Sequence, residues 1–167
     1  VKPTIHVEGT DGSGKSTLVP ILAKGLSCEV VPSEGPAKSW DDCLIRVGKR
    51  LRPGIVCDRS SGLVSELVYG PVLRGGCITQ EDRMWDVVKI LIVHGVKFVY
   101  CRPPATRIKP EFFDDEAPEV VAGVKAKEAE LLARYDDVMV TIEQIGGTIV
   151  RYDWTIDTVE DLIQCVA

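Results

Sequence analysis

Five short apolar runs, at residues 4–8, 28–32, 54–57, 97–101 and 148–152, punctuate the chain, rich in Val and Ile and nearly unbroken by polar residues. Runs of this length without alternation predict strands covered on both faces, as in a parallel sheet. Between them, segments at about 15–26, 38–50, 60–74, 80–94, 119–145 and 157–166 carry apolar residues at helical spacing. Thr79, with Asp82 three positions on, predicts the start of the fourth helix, and Asp157 the cap of the last. The alternation predicts an α/β fold: a three-layer, doubly wound, five-stranded parallel sheet that binds ligands outside the carboxyl ends of its strands. No internal repeat, linker or abrupt composition shift divides the sequence, so one domain over 1–167 is expected.

One segment resists the regular pattern. Residues 102–118 are dense in proline and charge and lie between a strand and a long helix. A long charged connection at the strand-end face predicts a lid that closes over bound phosphates, with a solvated connector as the plainer alternative.

Composition narrows the function classes. The formal net charge of -5 and a pI near 5.1 argue against a dedicated nucleic-acid binder, which needs clustered Lys and Arg. Lys49-Arg50-Leu51-Arg52 is one local basic cluster, read as a solvated helix end. Six scattered cysteines without a close pair read as small buried hydrophobes of a reduced cytoplasmic protein, with zinc through distant cysteines as the alternative. The first residues lack a charged-then-apolar leader and no apolar run reaches bilayer length, so neither secretion nor membrane insertion is expected.

The chemistry concentrates after the first strand. Gly9-Thr10-Asp11-Gly12-Ser13-Gly14-Lys15-Ser16-Thr17 fits G-x-x-x-x-G-K-[ST], the phosphate-binding loop of nucleoside triphosphate enzymes. Glycines let successive N–H groups turn inward toward phosphate oxygens, and the following helix adds its positive dipole end. Lys15 would reach the β- and γ-phosphates of ATP, and Ser16 would place its hydroxyl on Mg²⁺. A second site stands at the third strand end, Asp58-Arg59-Ser60, where Asp58 would hold the Mg²⁺ water shell and Arg59 would contact the acceptor or the transferring phosphate. The third is Ser33-Glu34-Gly35-Pro36: Glu34 would take a proton from a hydroxyl and Trp40 would pack on a base, although a simple turn before a helix explains the stretch equally well. Asp11 is unusual inside a phosphate loop, because an acid repels phosphates; its use would be to face away and bind an acceptor hydroxyl. His6, mid-strand behind the loop, reads as a satisfied core residue. Glu128, Glu130, Arg134, Asp136 and Asp137 read as a solvated helix face.

The loop from Glu8 to Thr17 and the strand-end Asp58-Arg59-Ser60, followed by Ser65 and Tyr69, resemble the thymidylate kinase and deoxynucleoside kinase superfamily. Element order extends the resemblance over most of the chain, but its specificity rests on these two motifs. It implies that Asp11 contacts a deoxyribose 3'-hydroxyl, that Asp58 and Arg59 organise phosphates, and that Tyr69 belongs with the acceptor-binding group. Some members carry a catalytic arginine where this chain has Gly12, so that charge would come from Arg102 or Arg107 on the lid. Glu34 with Trp40 departs from the Arg-Glu-Pro-Gly-like stretch of thymidylate kinases and is closer to deoxynucleoside kinases, in which the glutamate deprotonates the sugar 5'-hydroxyl. The short chain and Val68-Tyr69-Gly70-Pro71-Val72-Leu73-Arg74-Gly75 are similar to small phage-encoded kinases, which would act in the host cytoplasm. Related phage enzymes phosphorylate a hydroxymethyl group on a base already in DNA.

These readings imply Mg²⁺-dependent transfer of the ATP γ-phosphoryl group to a deoxynucleoside monophosphate or deoxynucleoside, with a homodimer as the family habit. Two alternatives stay open: a kinase acting on DNA, on a modified base or on a terminal hydroxyl, whose acceptor must be extruded or single-stranded to reach a pocket, and a nucleotide-binding switch. No Asn-Lys-x-Asp guanine-reading stretch is present.

Overall fold

The computed structural model describes residues 2–60, 62–109 and 118–167. The five predicted strands form, as β1 (Thr4–Glu8), β2 (Glu29–Val31), β3 (Ile55–Asp58), β4 (Val96–Cys101) and β5 (Thr148–Tyr152). They make one sheet in the order β2-β3-β1-β4-β5, every pair parallel. The helices are α1 (Lys15–Gly25), α2 (Trp40–Lys49), α3 (Leu63–Tyr69), α4 (Glu81–Val93), α5 (Pro118–Ala126), α6 (Glu128–Gln144) and α7 (Val159–Val166).

Alternation along the strands divides the core between the two faces of the sheet. Ile5 and Val7 of β1, Val99 and Cys101 of β4 and Val56 of β3 pack with Leu18, Leu22, Leu162 and Val166 of α1 and α7. Val96, Phe98 and Tyr100 of β4 face the other way, into a larger cluster with Leu63 and Leu67 of α3, Met84 and Leu91 of α4 and Leu131, Tyr135 and Met139 of α6. This is the predicted three-layer, doubly wound arrangement. The central position of β1 explains why its burial is complete from Thr4 to Glu8, whereas β2, at the edge, is largely exposed.

Period two also sends His6 and Glu8 to the larger cluster, so two polar side chains are buried behind the site. His6 Nδ1 lies 2.9 Å from the Ser60 hydroxyl and Nε2 3.4 Å from the Arg50 carbonyl, and its ring meets Phe98 edge-on at 6.0 Å. It is a partnered core histidine, as its sequence position suggests.

The helix boundaries differ from expectation in four places. The segment expected as one helix over 60–74 is α3 followed by a wider π-helical turn, Gly70–Arg74, at Gly70 and Pro71. Pro71 has no N–H to continue the ladder, and Gly70 is packed against Gly76 and Cys77 so closely that a Cβ there would lie 2.9 Å from the Gly76 carbonyl oxygen. The span expected over 119–145 breaks at Lys127 into α5 and α6, with the Lys127 ammonium donating to the Val72 carbonyl at 2.6 Å. Neither Thr79 nor Asp157 is a cap. Gln80 precedes α4 without a capping bond, and Thr158 caps α7 by accepting from the Asp161 amide, while Asp157 accepts from the Asp153 amide and closes the turn after β5. In the expected lid, Ala105–Arg107 forms a 3₁₀ turn after buried Pro103, and 110–117 fall outside the described residues.

The basic cluster is also corrected. Arg50 is 1% exposed, not a solvated helix end, and donates to the Pro32 carbonyl at 3.0 Å.

Burial pushes His6 down from its usual 6.5 to about 4, against the opposing Arg50 carbonyl. The unfolded chain therefore takes up this proton first. Stability from neutral His6 is complete above pH 6.5 and is lost as pH falls toward 4, by about 3 kcal/mol. Urea unfolding at pH 7 and pH 4 should show wild type losing more stability than His6→Gln by about that amount; equal losses would contradict this role.

Candidate active site

β1 delivers the chain into the loop at Gly9, where φ is 145°, a conformation that favours glycine. A Cβ on Gly9 would also lie 2.6 Å from the Cys101 carbonyl oxygen and 2.7 Å from Ser13 Oγ. The loop closes on itself through the Ser13 amide, which donates to the Thr10 carbonyl at 3.2 Å, and Gly14 then starts α1. Lys15 folds back so that Nζ donates to the Thr10 carbonyl at 2.6 Å. Burial, with repulsion from Arg59, lowers its ammonium to about 8, against the pull of Asp11. A dry cation held beside a curled backbone is a site for an anion. Gly12 and Thr17 complete the predicted loop; Ser13 is fully buried.

Parallel pairing brings the second motif alongside. Val7 of β1 is the register partner of Asp58 at the end of β3, and Ser16 Oγ donates to Asp58 Oδ2 at 2.9 Å. Asp58 Oδ1 is buried with no hydrogen-bond partner among the described residues. An orphaned carboxylate oxygen beside a serine hydroxyl is a hard oxygen donor set that fits Mg²⁺.

Arg59 occupies the left-handed region at φ 67°, uncommon for a side chain of its size, and its amide donates to the Val7 carbonyl at 3.0 Å. This backbone swings the guanidinium onto the Asp11 carboxylate. Tyr69 adds a second clasp: its hydroxyl donates to Asp11 Oδ2 at 3.0 Å and accepts from the Asp11 amide at 3.2 Å. Burial alone would raise the Asp11 carboxyl, but Arg59 and Lys15 outweigh it and hold the group below its usual range. The phenol of Tyr69 is pushed up by burial and by Asp11.

Beneath these groups lie residues that sequence reasoning passed over. Glu8, fully buried, accepts from the Ser60 amide at 2.6 Å and from the Tyr135 hydroxyl at 3.3 Å; burial raises its carboxyl despite the Ser60 bonds. Tyr135 stacks on Tyr100 and meets Tyr69 edge-on. The signals were an acid inside an apolar run before the loop, and a tyrosine in helical register with Leu131, Val138 and Ile142. Trp154, after β5, donates its indole N–H to the Ser13 carbonyl at 3.1 Å, and a Cβ on Gly14 would come within 3.2 Å of its ring. A tryptophan just beyond the carboxyl end of a strand was its signal.

The remaining expected residues are placed differently. Glu34 is paired with Arg50 at 3.1 Å and with Arg46 at 3.4 Å, and those two arginines are buried. Trp40 opens α2, half-buried against the larger core. Arg102 is committed to Asp136 by two hydrogen bonds of 2.9 and 3.0 Å, and Asp136 also accepts from Tyr100, so this part of α6 is not a purely solvated face. Arg107 is exposed and makes no ion pair among the described residues. A cavity of about 170 Å³ opens beside Thr10, Asp11 and Tyr69, closed on the other side by Ala105, Leu131 and Leu132.

No protein-family model matches the sequence, and no curated protein matches it. Solved structures do match along nearly the whole chain. The YorR protein of Bacillus subtilis, solved with phosphorylated GDP, superposes with a TM-score of 0.68 at 19% identity, over 96% of this chain and 91% of that one. Deoxyadenosine kinase from M. mycoides with bound dCTP gives 0.58 at 19% identity, over 96% of both. Thymidylate kinase from Candida albicans gives 0.57 at 14% identity, over 98% and 88%. The chain shares the fold of these three proteins, two of which are kinases.

Gly9→Ala places a methyl group against the Cys101 carbonyl in a strained backbone. It should lower stability by more than about 1 kcal/mol, a fall of roughly 2–4 °C or more in thermal midpoint; an unchanged midpoint would show that the loop is not held as described.

Proposed function

We propose that the chain is a magnesium-dependent phosphotransferase that moves the γ-phosphoryl group of ATP to a hydroxyl of a deoxynucleoside or deoxynucleotide. The observation that carries this reading is the 2.9 Å bond from Ser16 to Asp58, which joins two candidate metal-holding groups from separate motifs beside a buried lysine. The kinase fold supports it, as do the nucleotides bound in the structural neighbours.

The loop amides and the start of α1 cradle the phosphates, and Lys15 lies where charge on the transferred group must be balanced. Ser16 and Asp58 would hold Mg²⁺, which supplies positive charge to the β- and γ-oxygens when bound. Arg59, positioned by its left-handed backbone and by Asp11, adds charge on the acceptor side. Arg107 is the better placed of the two lid arginines to complete the set, because Arg102 already serves Asp136. Asp11 accepts the acceptor hydroxyl's hydrogen bond and orients it, while Glu34, fixed by two arginines, lines the neighbouring strand end.

Lys15→Ala should cut kcat about a hundred- to a thousandfold with an unchanged circular dichroism spectrum. Full activity in that variant would end the proposal. Asp58→Asn should raise the Mg²⁺ concentration for half-maximal activity, measured by ADP release. Nucleotide-dependent partner binding without any phosphorylated acceptor would instead make the chain a switch.

A further inference from the structure

Trp154 lies beside the loop without being placed there by burial. It is 43% exposed, yet its indole N–H donates to the Ser13 carbonyl at 3.1 Å. Its ring stands so close to Gly14 that a Cβ there would meet Cδ1 and Nε1 at 3.2 Å. The backbone that carries it is held on both sides. The Asp153 amide donates to Asp157 Oδ2 at 2.7 Å, the Asp157 amide returns to the Asp153 carbonyl at 2.8 Å, and the Thr155 amide donates to Asp153 Oδ1 at 2.9 Å. One residue earlier, the Tyr152 carbonyl accepts from the amide of Arg102, just past β4, at 2.8 Å. A turn tied in this way presents the indole in one direction.

The choice of partner gives that direction a consequence. Gly14, at φ 96°, joins the loop to α1, and a glycine accepts either sign of φ at little cost. The peptide plane between Ser13 and Gly14 can therefore turn over through the ψ of Ser13 and the φ of Gly14, with little movement of the residues on either side. No cis peptide bond occurs among the described residues, so the carbonyl and the N–H of that plane point in opposite directions. With the Ser13 carbonyl turned to the indole, the Gly14 N–H points away from Trp154; with the plane reversed, a carbonyl oxygen would take its place. For an anion in the loop the first arrangement attracts and the second repels.

We infer that Trp154 is a positioning residue of the nucleotide site: by holding the Ser13 carbonyl it keeps the Gly14 amide turned toward the phosphates of a bound nucleoside triphosphate, and so makes the turn after β5 part of the phosphate loop. The inference rests on the phosphotransferase reading above and adds to the loop's own motif a residue from the far end of the chain. The indole acts through its N–H, so its effect follows the phosphates and is independent of the base they carry.

The test is calorimetric binding, with Mg²⁺ present, of ATP and of inorganic tripolyphosphate, which has the phosphates without sugar or base. Trp154→Phe keeps an aromatic ring over Gly14 and removes the N–H. It should weaken both ligands by the same factor, about three- to tenfold, while the thermal midpoint of the unliganded protein stays within about 2 °C of wild type. Replacing Trp154 by benzothienylalanine, in which sulfur takes the place of the N–H within the same ring outline, should give the same loss, and in turnover the loss should fall more on KM for ATP than on kcat. If Trp154→Phe lowers the midpoint further, the benzothienyl protein, which fills the same space, decides. Weaker ATP binding with unchanged tripolyphosphate binding would make Trp154 a stacking surface for the base, and wild-type affinity for both ligands would show that the loop is set without the indole N–H. Either result, or a wild-type protein that binds ATP but no tripolyphosphate, overturns the inference and leaves the kinase reading standing. Failure of the wild-type protein to bind ATP overturns both.

Discussion

A fully buried carboxyl group, Glu8, ties together the elements on which the site depends. It sits at the end of β1, one residue before the loop, accepts from the amide of Ser60 just past β3, and receives the hydroxyl of Tyr135 from α6. A buried acid in this setting is costly unless its oxygens are engaged, so the turn after β3 and the face of α6 are held to it by the same physics that penalises its burial. With Ser60 fixed, Arg59 is constrained to the left-handed backbone that turns its guanidinium toward Asp11. The phosphate loop and the strand-end motif are thus one connected structure.

Most polar groups of the site already hold a partner within it. Lys15 leans on a loop carbonyl, Ser16 on Asp58, and Arg59 and Tyr69 on Asp11. In a partly buried setting each partner reduces the cost of the other and sets its direction before a ligand arrives. A ligand entering such a site exchanges contacts with groups already aimed, with little ordering left to do. Trp154 performs a related task from the far strand, bracing Ser13 and Gly14 where α1 begins.

How far the sequence could be read depended on whether a signal was local. The glycine-rich loop was legible as a tight turn into a helix because its glycines lie within nine residues, and the strands because burial on both faces leaves apolar runs. Asp58 and Arg59 were legible once a strand end beside β1 was expected. Arg50 was not: its sequence neighbours are basic, and its burial against Pro32 and Glu34 arises only when α2 returns to the edge of the sheet. The break at Lys127 was equally silent, since helical spacing continues through it and the lysine's partner, Val72, is remote in sequence.

The sequence by itself determined the alternation of strands and helices, the parallel sheet and the glycine-rich loop that turns from β1 into α1, because each rests on periodicity or on residues close together in the chain. Tertiary structure alone decided which charged groups share a partner. It put Arg102 on Asp136, clasped Asp11 between Arg59 and Tyr69, and placed Glu128 and Thr10 around one cavity. Such pairings depend on distances of a few ångströms between residues far apart in the chain, and those distances exist only once the helices have packed on the sheet.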